Sequence, residues 1–151
     1  MSAAGAGTND ASTPSLETTR AAILANGIEV FRVKDETIEL AQRVRSHLMD
    51  AGVSLSFGQE PRLEFTVRAQ NSDFPGPGAD EMFNKVRSEI GALARERGFS
   101  EAEQRCRNVE DPVDPSHVLD VWYELTFAKS TTDLSQLMDD VRWALAVSKC
   151  I

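Results

Sequence analysis

The chain has 151 residues, 41% of them apolar, and carries 24 acidic against 16 basic side chains for a net charge of −8. That length suits one domain able to bury a core of its own, and no apolar run approaches the roughly eighteen residues of a membrane span. The acidic balance argues against nucleic-acid binding, which needs a basic stripe to displace counterions.

Residues 1–15 are small and polar, with one proline and no aromatic. They cannot bury enough apolar area to offset ordering entropy, so a disordered tail is expected ahead of a single domain at 16–151. The start lacks the basic n-region and apolar h-region of a signal peptide, which makes a cytoplasmic location the expectation. Cys106 and Cys150, without CxxC spacing, are expected as free thiols.

Ser15 is placed to cap a short helix, "LETTRAAILAN", that Gly27 ends. "IEVFRV" follows as a strand. Asp35 then reads as an N-cap, with Glu36 and Glu39 at the positive end of a helix dipole. Ile38, Ala41, Val44, Leu48 and Ala51 recur at helical spacing before Gly52, which predicts a helix over 35–52. "VSLSF" and "RLEFTVRAQ" alternate cleanly and form a hairpin across "GQEP".

"NSDFPGPG" reads as a loop, its prolines and glycines removing helical options. Asp80 is expected to cap the next helix, with Met82 or Phe83, Val86, Ile90, Leu93 and Ala94 as its buried stripe. Gly98 ends it, with Phe99 where a Schellman contact falls. "EAEQRCRNV" predicts a strand whose Glu101, Glu103, Arg105 and Arg107 share one face, as at a sheet edge or wet surface. After the turn "EDPVDPS" comes the strand "HVLDVWYELTF". A last helix begins near Asp133, which forms a capping box with Gln136. Leu134, Leu137, Met138, Val141 and Leu145 line its inner side.

These elements predict an α+β fold: a single antiparallel sheet with helices packed mainly on one face, in the order α-β-α-ββ-α-ββ-α. In element order alone, residues 35–150 resemble class I type III secretion chaperones, dimeric effector-binding proteins of low pI, although the strand at 28–33 departs from that pattern. Small acidic immunity proteins that neutralise basic nuclease toxins are similar in the same coarse way. Both resemblances imply protein binding, and neither carries a residue role over.

The inventory for catalysis is thin. His47 flanks the apolar stripe of its predicted helix and needs no catalytic role. Asp111, Asp114, His117 and Asp120 come at spacings of three, but match neither an EF-hand nor a zinc signature. Pro112 and Pro115 explain that segment as a turn, where Asp is favoured anyway. No GxSxG elbow or P-loop is present. No metal, cofactor or catalytic residue is therefore expected.

The strongest functional clue is Trp122. Period-two reading puts His117, Leu119, Val121, Tyr123, Leu125 and Phe127 on one strongly apolar face, of which Leu119 to Phe127 would complete a core side. The opposite, nominally wet face carries Val118, Asp120, Trp122, Glu124 and Thr126. The indole is explained by cover from its own chain, by Arg62 or Arg68 from a neighbouring strand, or by another molecule. The function expected is non-enzymatic protein binding, adaptor-, chaperone- or inhibitor-like, through Val118, Asp120, Trp122 and Glu124, with Trp143 as a second aromatic. Asp120 and Glu124 would steer a basic protein partner, or a second copy would form a homodimer. The competing expectation is a small-molecule binder or enzyme with a pocket near Asp114, His117 and Tyr123.

Overall fold

A computed structural model of the chain describes residues 14–58, 60–73 and 78–148. The elements are α1 (Leu16–Ala25), β1 (Val30–Lys34), β2 (Thr37–Val44), β3 (His47–Ser56), β4 (Arg62–Gln70), a 3-10 turn (Asn71–Asp73), α2 (Gly78–Glu96), β5 (Ser100–Glu110), β6 (Val118–Ser130) and α3 (Leu134–Ser148). The strands form one antiparallel sheet in the order β1-β2-β3-β4-β6-β5, so the class is α+β. Of the tail expected at 1–15, residues 1–13 lie outside the described residues; Pro14 is buried and Ser15 is the α1 cap.

Capping chemistry accounts for several element boundaries. Ser15 and Thr18 form a reciprocal capping box on α1. Gly27 (φ 72) and Gly98 (φ 91) take the left-handed conformation that ends α1 and α2. At each, a Schellman pair closes the orphan carbonyls: Ile28 N to Ile23 O and Gly27 N to Leu24 O, then Phe99 N to Ala94 O and Gly98 N to Arg95 O. Asp133 Oδ1 accepts from Ser135 N at 3.2 Å at the start of α3, while the Gln136 amide donates to Asp140 Oδ1. Asp80 lies in the first turn of α2 and not at its cap, because the helix starts at Gly78.

The helix expected over 35–52 is instead a pair of strands. Asp35 and Glu36 (φ 50 and 60) make the tight turn between β1 and β2, with Lys34 opposite Thr37. Arg45 and Ser46 (φ 52 and 72) make the next, with Val44 opposite His47. Two successive positive φ values are the type I′ geometry that matches strand twist. Gly52 (φ 75) does not end a helix. It lies where β3 shifts register against Glu39–Ala41 of β2, and its N–H donates to Asp50 Oδ1. Ile38 and Leu40 are buried alternately along β2, as are Ala51, Val53 and Leu55 along β3, whereas Val44, Leu48 and Met49 are exposed near the turn. The helix that opened the likeness to secretion chaperones is therefore absent from this chain.

The residues group into two compact units. The first holds α1, β1 to β3, β4 as far as Phe65, and the chain from Lys129 through α3. Its core is Ile23, Ile38, Leu40, Val53, Leu55, Leu63, Phe65, Leu137, Val141 and Ala144. Trp143 meets Phe65 edge to face at 5.5 Å. The buried Asp140 carboxylate lies 2.8 Å from Lys129 Nζ, so this core encloses an ion pair. The second unit is Thr66–Ala128, with the rest of β4, α2, β5 and most of β6. Val67, Ala69, Phe83, Ala94, Phe99, Leu125, Phe127 and Ala128 are its buried apolar residues among those described.

Candidate functional site

The site lies within the second unit, on the sheet face where β4, β6 and β5 run side by side. Alternation along β4 turns Val67 and Ala69 inward and leaves Thr66 and Arg68 on the outer face. The same period puts Asp120, Trp122, Glu124 and Thr126 outward on β6. Register then sets Glu103 opposite Thr126, Arg105 opposite Glu124, and Arg107 opposite Trp122 on β5. From β4, Thr66 Oγ1 meets Thr126 Oγ1 at 2.8 Å, and Arg68 donates to Glu124 from Nε at 3.1 Å and Nη2 at 2.8 Å.

Trp122 is half-buried at the middle of this ladder. The Arg68 guanidinium stands 4.4 Å from its ring centroid and that of Arg107 5.5 Å from it, so the indole lies between cations from both neighbouring strands. Its Nε1 donates to Asp120 Oδ2 at 3.0 Å. Asp120 also accepts from Ser72 N at 2.9 Å and Ser72 Oγ at 2.7 Å. The Ser72 hydroxyl foremost, then the Ser72, Trp122 and Val121 N–H groups, hold the Asp120 carboxyl below the ordinary carboxylate range against the desolvation that would raise it. Glu124 is 11% exposed and also faces Arg107 Nη1 at 3.6 Å. Both acidic neighbours of the indole are thus engaged by their own chain. The charges that reach solvent here belong chiefly to Arg68, Arg105 and Arg107, with Glu103 alongside. A polar hollow of about 180 Å³ is lined by Thr66, Glu103, Arg105, Arg107, Glu124 and Thr126.

No protein-family model matches this chain, and no curated protein or solved structure matches it.

Of the residues read as partner-binding, Asp120, Trp122 and Glu124 come together, and Val118 is exposed at the start of the same strand. Trp143 belongs to the first unit, against Phe65. The expected core side of β6 is only partly a core: Leu125 and Phe127 are fully buried, Val121 and Tyr123 are half-buried, and Leu119 is 54% exposed. The contrast between a dry and a wet face therefore fades along the strand towards Val118.

The residues of the competing pocket have separate surroundings. Asp114 Oδ1 accepts from Ser116 N and Oγ, and Asp111 Oδ1 from Val113 N, which makes both carboxylates turn-formers. His117 Nδ1 is 3.6 Å from Asp111 Oδ2 on an exposed side chain. Tyr123 turns to α2, where its ring lies 5.3 Å from Phe83. Hydrogen bonding to the Asp80 carboxylate, with burial second, pushes its phenol up to about 12. Among the described residues, no three His, Cys, Asp or Glu side chains form a group that could hold a metal ion. Cys106 is exposed with a free thiol, and Cys150 lies outside the described residues. No helix among the described residues is long and apolar enough to cross a membrane.

The sequence pointed to Trp122 and to Arg62 or Arg68 as its cover; Arg68 stacks on the ring, and Arg62 pairs with Glu64. Sequence reasoning missed Arg107, Ser72 and the buried Asp140. The period-two run of Glu103, Arg105 and Arg107 is the signal that leads to Arg107, once β5 is aligned with β6; Glu101, expected on the same face, is turned to the Phe127 side by the register shift between Glu101 and Glu103 and pairs with Arg87.

Proposed function

We propose that the chain is a non-enzymatic protein-binding module, adaptor-, chaperone- or inhibitor-like, whose contact surface is the β4-β6-β5 face centred on Trp122. One observation carries the reading. An indole is held in a single orientation by Asp120 and stacked by Arg68 in the middle of a sheet face whose outer strand, β5, is exposed from Ser100 to Asn108. A rigid aromatic flanked by arginines is the composition of interface hot spots, and its ordering cost is met before any partner arrives.

The arginines also set the partner's charge. With Asp120 and Glu124 engaged internally, steering passes to Arg68, Arg105 and Arg107, and the surface suits a protein segment that presents carboxylates. The test is comparative affinity capture from the native cell extract with the wild-type chain, Trp122→Ala and Arg107→Ala as baits. The wild type should retain one or more proteins that both variants lose, with melting temperatures within a few degrees of wild type. Identical capture by all three baits, or a Trp122→Ala chain that no longer folds, would refute this face as the contact surface.

A further inference from the structure

β5 is a terminal strand of the sheet. Its partner is β6, and among the described residues no strand pairs with its other edge. It is eleven residues long and exposed over nearly its whole length, so it offers an unpaired row of N–H and C=O groups as a template for another strand. The opposite terminal strand, β1, has five residues and a register shift between Val30 and Arg32. Shortness and bulging are devices that discourage pairing, and β1 uses both; β5 is more than twice as long, and its own register shifts, between Glu101 and Glu103 and between Val109 and Glu110, leave the ladder from Glu103 to Val109 regular. Edge charges are a third device when they share one sign, because two copies then repel. Those of β5 do not share one sign.

The run from Glu101 to Arg107 reads acidic, then Gln104, then basic. Glu101 is held by Arg87 of α2 at 3.2 Å, and Arg107 faces Glu124 and Trp122. Glu103 and Arg105 remain, 56% and 53% exposed and, among the described residues, ion-paired only with each other, at 2.9 Å. We infer that β5 pairs antiparallel with β5 of a second copy about a two-fold axis at Gln104, joining two sheets edge to edge. In that register Glu103 of each copy faces Arg105 of the other, giving two opposite-charge cross-strand pairs on the outer face. An axis at Glu103, at Arg105 or at Cys106 sets Glu103 against itself, Arg105 against itself, or Arg105 against Arg107. Charge therefore selects one register out of four. Glu103 and Arg105 also border the Trp122 face, but the pairing here runs through the free edge of β5 and is read from self-association of the chain alone, so either reading can fail without the other.

The experiment is sedimentation equilibrium on the purified full chain alone, at physiological salt so that the net charge of −8 is screened. The wild type should be dimeric at roughly 0.1 mM, and Glu103→Arg and Arg105→Glu should each weaken dimerisation by on the order of tenfold or more. An equimolar mixture of the two variants should regain the wild-type dimer, since each then presents what the other lacks. Gln104→Cys in a Cys106→Ser background should cross-link copy to copy on mild oxidation, because directly opposed residues lie within disulfide reach. A monomeric wild type, single variants that dimerise as the wild type does, or a mixture that stays monomeric would each overturn the proposal.

Discussion

Trp143 packs edge to face on the buried Phe65, whereas Trp122 stacks on Arg68 in a face of charged and hydroxyl side chains. Both indoles are half-buried, so exposure alone does not separate them. Their surroundings do. The first contributes apolar area to a core, and removing it leaves a cavity. The second is a platform for cations, and removing it leaves arginines that water can solvate. The same contrast holds for the ion pairs of the two regions. Lys129 and Asp140 meet inside the first unit with the carboxylate fully buried, while Arg68 and Glu124 meet with the guanidinium in water. One region holds its indole and its ion pair against a core, and the other holds both at a charged sheet face.

The largest expected effect tests the buried end of that comparison. Asp140→Ala leaves the Lys129 ammonium, 17% exposed, without its carboxylate, and should cost about 3–5 kcal/mol in urea denaturation. A loss below about 1 kcal/mol would mean that the pair is solvated and that the first unit is not a sealed core.

Next come the tryptophans themselves. Trp143→Ala should cost about 2–3 kcal/mol, somewhat less than a fully buried aromatic, with the unfolding slope unchanged. Trp122→Ala should cost about 1 kcal/mol or less, the range of exposed cation–π contacts. Equal losses would erase the distinction between packing and presentation.

The smallest effect is read by spectroscopy. Tyr123 is the sole tyrosine, so phenolate absorbance reports it alone. Its midpoint should lie near 12 against an ordinary 10.0, and Asp80→Asn should move it down towards the ordinary value. Because the folded chain holds this proton longer than the unfolded chain, the associated stability is present below pH 10.0 and is lost as pH rises towards 12. An unshifted midpoint in the wild type would show that α2 does not bring Asp80 to the phenol.

Much of the architecture was legible because the signals were local. Ser15, Gly27 and Gly98 mark helix ends through capping and positive φ, which depend on neighbours a few residues away. β4 and the buried end of β6 announced themselves by period-two burial. The region from 35 to 52 was not legible, and the reason is specific. Asp35 with Glu36 and Arg45 with Ser46 adopt I′ turns without the glycine or asparagine that signals them. Asp35 and Glu36 also imitate a helix start. A stripe at Ile38, Ala41, Val44, Leu48 and Ala51 satisfies helical spacing even though Val44 and Leu48 are exposed.

By itself the sequence determined the fold class, the acidic balance of charge, most element boundaries and the presence of an aromatic on a nominally wet strand face. These follow from composition, capping and periodicity, which are properties of short stretches. Only the tertiary structure decided what that aromatic touches. The guanidiniums come from β4 and β5, tens of residues or more away along the chain in the case of Arg68, and their meeting depends on strand order and register. The same registers assigned Asp120 and Glu124 to internal partners and left Glu103 and Arg105 at an open edge. A side chain's charge is written in the sequence, but whether that charge is available to another molecule depends on which neighbour the fold brings within hydrogen-bonding distance.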